Sequence, residues 1–115
     1  MDDTKEWRKI LVVEDEERCK KQIKEAFNSH SREWEVSFVS TSKDALNRVL
    51  QDKFDLILLS YELPDDSGLE FLRKLKSNPK IALPVILMAH DTSEEAREKA
   101  MRVGVLDFVV EPLLP

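Results

Sequence analysis

The sequence predicts a three-layer α/β domain built on a parallel sheet. Three observations lead there. Short apolar, β-branched runs alternate with amphipathic helical stretches along the chain. One run, DLILL from Asp55 to Leu59, is apolar almost throughout, as a central strand covered on both faces must be. Hydroxyl-x-x-acid motifs stand where helices would have to begin.

The elements follow in order. Lys9 to Val13 (KILVV) is an apolar run ending in acids and reads as the first strand. From Glu17 to Asn28, Cys19, Ile23, Ala26 and Phe27 recur on one helical face. Trp34 to Val39 (WEVSFV) is a more mixed strand, suited to a place nearer an edge. Thr41 is expected to cap the next helix, with Asp44 three residues on and Ala45, Leu46, Val49 and Leu50 as its buried face. After Asp55–Leu59, Ser67 and Glu70 form an S-x-x-E box opening a helix that carries Phe71, Leu72 and Leu75. Pro84 to Met88 (PVILM) is the fourth strand. Thr92 and Glu95 form a T-x-x-E box before a helix with Ala96, Ala100 and Val103 on its face, and Leu106 to Val110 (LDFVV) is the fifth strand.

A chain of 115 residues suits a single domain spanning 1–115. With 42% hydrophobic residues it can fill a core. The net charge of −5 argues against nucleic acid or an anionic membrane as a direct partner. Cys19 is the only cysteine, so an intrachain disulfide is excluded, and it reads as a small apolar helix residue. No apolar run approaches the ~20 residues of a membrane span, and a cytoplasmic location is the expectation. Asp65 and Asp66 read as turn residues that also charge the start of the next helix.

Strands alternating with helices imply right-handed crossovers. On such sheets ligands bind beyond the carboxyl ends of the strands. That rule singles out Glu14 and Asp15, Ser60, Ala89 and His90, and Glu111.

These residues carry a resemblance. FDLILLSYELPDDSGLEFLRKLK, from Phe54 to Lys76, together with VVEDEE, PVILMAH and DFVVEP, is similar to the receiver domains of two-component response regulators, of the chemotaxis-receiver type. The resemblance implies a flavodoxin-like fold with strand order 2-1-3-4-5. It also implies an acidic pair at Glu14 and Asp15, a phosphoacceptor position at Ser60, a switch hydroxyl position at Ala89, a switch aromatic at Phe108 and a cation position at Glu111. Three of these carry the wrong group. Aspartyl phosphorylation needs a carboxylate nucleophile, and Ser60 is neutral. Ala89 lacks a hydroxyl. Glu111 replaces a lysine whose contact with a phosphoryl group at about 4 Å is worth about 4 kcal/mol at an effective dielectric of about 20, and the glutamate reverses its sign.

The expectation is therefore a degenerate receiver, not an enzyme, that acts by protein contacts with a histidine kinase or an output domain in bacterial-type signalling. The alternative is a working receiver with unorthodox phosphoacceptor chemistry, phosphorylated by a histidine kinase within a phosphorelay. No cofactor is expected, weak magnesium binding by Glu14, Asp15 and the Glu62 carbonyl being the alternative. His90 reads as a solvated or capping residue. The family has a fifth helix where this chain stops at EPLLP, with Leu113 and Leu114 at its expected start. That implies a domain cut from a longer protein and an apolar flank, beside the fourth and fifth strands, on which a homodimer could form.

Overall fold

A computed structural model describes residues 8–30, 34–90 and 93–110. Its five strands are β1 (Arg8–Val13), β2 (Trp34–Val39), β3 (Leu56–Ser60), β4 (Val85–Ala89) and β5 (Asp107–Val110). The described helices between them are α1 (Glu17–His30), α2 (Ser42–Gln51), α3 (Gly68–Ser77) and α4 (Glu94–Val103). The strands form one parallel sheet in the order β2-β1-β3-β4-β5. The flavodoxin-like arrangement expected from the sequence is the one observed.

Side chains of a strand alternate between faces, and here the alternation sorts the core into two layers. Leu11, Val13, Ile57, Leu59, Val85, Leu87 and Ala89 point to the side covered by Ala45 of α2, Phe71, Leu72 and Leu75 of α3, and Ala96 and Ala100 of α4. Ile10, Val12, Leu58 and Met88 point to the opposite side, where Ile23 of α1 packs with Phe27 and Trp34. The Phe27 and Trp34 rings lie 5.3 Å apart and tie α1 to β2. β1 and β3 are covered on both faces, with Leu11, Val13, Ile57 and Leu59 buried on one side and Ile10, Val12 and Leu58 on the other.

The helix starts are satisfied from two sources. Thr41 caps α2 as expected, its Oγ1 accepting the Asp44 N–H at 3.1 Å. Asp65, far along the chain, completes the same cap. Its carboxylate accepts the Ser42 N–H at 2.9 Å, the Ser42 Oγ–H at 2.8 Å and the Lys43 N–H at 3.2 Å. The sequence pointed Asp65 at the following helix, and the structure turns it back to α2. Ser67 caps α3 through the Glu70 N–H at 3.1 Å. The return half of that box is taken by Asp66, which accepts the Ser67 N–H at 2.9 Å, while Glu70 pairs with Arg73.

Other boundaries move for identifiable reasons. α4 is capped by Ser93, whose Oγ accepts the Ala96 N–H at 3.2 Å, one residue later than the box expected at Thr92, which lies outside the described residues. β3 starts after Asp55, whose carboxylate accepts the N–H of Lys9 in β1 at 2.7 Å. β4 starts after Pro84, whose carbonyl accepts from Ile57. Both strands therefore run one residue further than expected, and Ser60 and Ala89 end them. Leu50 is 52% exposed, since five residues past Ala45 place it about 140° around the helix. Ala26 and Leu106 are also exposed, the latter preceding β5. Expectations for Glu111 and for the missing last helix fall on 111–115, outside the described residues.

Gly68 is required by close approach. Its N–H donates to the Tyr61 carbonyl at 2.6 Å, and a Cβ there would stand 2.8 Å from the Tyr61 Cα and inside the radius of the Ser60 carbonyl oxygen. Gly68→Ala is expected to cost at least about 2 kcal/mol, read from urea denaturation, because backbone atoms cannot move aside as a flexible side chain would. A variant as stable as the parent would show that the α3 start is free to shift.

The hydrogen bonds to Asp65, led by the Ser42 N–H and opposed by a smaller effect of burial, hold its carboxyl below the usual aspartate range. A depressed folded value means the contribution is present above the unfolded value of about 4 and is lost as pH falls through the folded one. Asp65→Ala should cost about 1 kcal/mol at neutral pH, with the gap to wild type closing below about pH 4. An equal gap at about pH 7 and about pH 3 would contradict the cap.

Candidate functional site

The carboxyl ends of β1, β3 and β4 open onto one cavity of about 430 Å³. It is lined by Glu14, Asp15, Glu16, Ser60, Glu62, Leu63, Pro64 and His90. Glu14 follows β1 directly. Its N–H donates to the Val39 carbonyl at 3.0 Å, which carries the β1–β2 ladder one residue further. Its side chain is buried, and its Oε2 accepts the Glu16 N–H at 3.1 Å. Asp15 and Glu16 are exposed on the rim.

Ser60, the last residue of β3, is 4% exposed. Its Oγ donates to the Glu62 carbonyl at 3.1 Å. The hydroxyl hydrogen is thereby used within its own loop, on the carbonyl that the sequence offered to a cation. The loop is closed by a Glu62–Ser67 bridge and by the Leu63 N–H on the Asp66 carbonyl at 3.2 Å. Gly68 then starts α3 against the Tyr61 carbonyl, so the backbone around Ser60 is held from both sides.

The structure brings Glu14, Asp15, Ser60, Glu62 and His90 to one cavity. It leaves Ala89 and Phe108 out of the lining. Ala89 is 1% exposed and belongs to the core under α2–α4. Phe108 is buried in the same layer, with the Arg97 guanidinium 6.0 Å from its ring centre. Glu111 lies outside the described residues.

Two residues that the sequence did not assign to the site belong beside it. Glu16 Oε1 accepts from the Cys19 thiol at 3.1 Å and lies 3.7 Å from His90 Nε2. The Glu-x-x-Cys spacing at a helix start was the available signal, since residues three apart share a helix face. Their partner His90 was already singled out by its place after β4, but nothing in the sequence paired it with Glu16.

The electrostatics follow from the lining. Four carboxylates line the cavity, and His90 is the one basic side chain among the described lining residues. Such a pocket attracts cations and repels a phosphoryl anion.

Comparison with known proteins agrees with this geometry. The family model described as the response regulator receiver domain matches residues 10–115. The cyclic di-GMP phosphodiesterase response regulator RpfG of Xanthomonas campestris pv. campestris is 32% identical over 107 residues, covering 92% of this chain and 28% of that protein. The transcriptional regulatory protein ResD of Bacillus subtilis is 30% identical over 115 residues, covering 100% of this chain and 46% of that protein. The chain thus spans less than half the length of these curated relatives. Among solved structures, the phosphorylated cyanobacterial phytochrome response regulator RcpA superimposes with a TM-score of 0.85 at 26% identity, covering 93% of this chain and 82% of that one. The DrrB receiver domain in its BeF3-activated form does so with a TM-score of 0.79 at 29% identity, covering 95% and 88%. The sheet order, the acidic cavity at the strand ends and the match across the chain concur: this chain belongs to the response regulator receiver domain family.

Proposed function

We propose that this receiver works without phosphorylation, as a protein-interaction module of two-component signalling with no catalytic activity of its own. The observation that supports the reading is Ser60. A buried neutral hydroxyl stands at the end of β3 and is donated to the Glu62 carbonyl. Among the described residues its hydroxyl bonds a backbone carbonyl and not a base, and the cavity around it is mostly acidic. A serine needs an adjacent base to become a nucleophile.

Ala89 reinforces the reading. It has no hydroxyl to bond a phosphoryl group, and Phe108 is already buried with Arg97 over it. A single resting state, read by a histidine kinase or an output domain, is the consequence we draw. No described helix is long and apolar enough to cross a membrane, and we place the domain in the cytoplasm. The exposed apolar residues Met101, Leu106 and Val110 on the α4–β5 side are the surface we assign to protein contacts.

Three experiments test this. Acetyl phosphate with magnesium should leave both the wild type and Ser60→Asp without a phosphoryl mass increment, since Glu111 and the other acids still oppose the anion. Calorimetric titration with magnesium should show no heat of binding at the Glu14, Asp15 and Glu62 set. An increment on the wild type overturns the reading in favour of an unorthodox phosphorelay receiver, and one on Ser60→Asp alone shows that the remaining acids do not bar phosphorylation. For the contact surface, Leu106→Lys should abolish any self-association seen in sedimentation of the parent while leaving its stability within about 0.5 kcal/mol, as for an exposed site. Association unchanged by that charge would place the interface elsewhere.

A further inference from the structure

Beside the acidic cavity, three different donors converge. Glu16 stands in the β1–α1 connection, Cys19 in the first turn of α1, and His90 just past β4. Their ligand atoms all lie within 4.8 Å of one another. The carboxylate oxygen is 3.1 Å from the thiol sulfur and 3.7 Å from the imidazole nitrogen. A tetrahedral zinc ion, with bonds of about 2.3 Å to sulfur and about 2.0 Å to nitrogen and oxygen, sets its donors about 3.2–3.8 Å apart. The trio is thus close to a ligand cage before any ion arrives.

We propose that Glu16, Cys19 and His90 form a binding site for a zinc-class transition-metal ion, with water from the open cavity as the fourth ligand. The donor set decides the class. Thiolate and imidazole suit zinc or its congeners, whereas magnesium requires oxygen ligands. The site is therefore chemically distinct from the all-oxygen set of Glu14, Asp15 and the Glu62 carbonyl. Binding converts the Cys19 thiol to a thiolate and releases one proton to the buffer. The bound ion joins the start of α1 to the end of β4, two elements that share no strand pairing. Nothing here depends on whether Ser60 accepts a phosphoryl group.

The test uses the reduced chain, stripped with chelator, titrated with cobalt(II) and then with zinc chloride. Cobalt should produce a near-ultraviolet thiolate charge-transfer band that zinc bleaches and that excess magnesium leaves intact. Cys19→Ser should abolish the band. His90→Ala and Glu16→Gln, both at exposed positions, should weaken zinc binding at least about tenfold by calorimetry without loss of fold. Zinc should raise the thermal midpoint of the wild type and not that of Cys19→Ser. Absence of the band, or zinc affinity that survives both His90→Ala and Cys19→Ser, would show the trio to be a hydrogen-bonded cluster only and overturn the proposal.

Discussion

The cavity at the strand ends depends on the ladder that holds β3 between β1 and β4. Parallel strands have no dry edge to spare, so both faces of β3 must be covered. The covering comes from α1 on one side, over Leu58, and from α2, α3 and α4 on the other, over Ile57 and Leu59. Once that burial is met, a one-residue slip would carry Leu58 and Leu59 to the wrong layers. The register therefore delivers Ser60 to the cavity and Ala89 to the core with no freedom to exchange roles.

The cavity's chemistry follows from what the ladder delivers. Glu14, Asp15, Glu16 and Glu62 already bring four carboxylates to one opening. A further carboxylate at the end of β3, about 4 Å from another, would add repulsion of about 4 kcal/mol at an effective dielectric of about 20 unless a cation stood between them. A neutral serine removes that conflict. It also satisfies its own buried polarity locally, through the Glu62 carbonyl. The serine at the end of β3 and the alanine at the end of β4 agree with the reading proposed above, in which neither supplies a group for a bound phosphoryl.

The β3–α3 loop is held by polar contacts on three sides. Asp65 reaches back to the start of α2, Asp66 pairs with Lys74 of α3 at 3.1 Å, and Gly68 seats α3 on the Tyr61 carbonyl. A loop that carries one wall of the cavity is thereby fixed to two helices. The same carboxylate that ends the helix-start deficit of α2 keeps Pro64 and Leu63 in the cavity lining.

Local periodicity by itself determined the five strands, the helices between them and the sheet class, because both the 2.0 and 3.6 repeats are written in neighbouring residues. It also placed Ser60 and Glu14 at strand ends, since an apolar run stops where the polar residue begins. Boundaries that depended on a distant group were not legible. Asp55 leaves β3 because it bonds Lys9, and Ser93 rather than Thr92 caps α4 because the helix starts one residue later. Cys19 read as a core residue, and buried it is, yet its sulfur faces Glu16 and His90. Asp65 read as turn chemistry for α3 and serves α2, 23 residues away. The physical reason is common to these cases. A side chain's partner across the sheet is chosen by strand order and register, and those exist only once the chain has closed on itself.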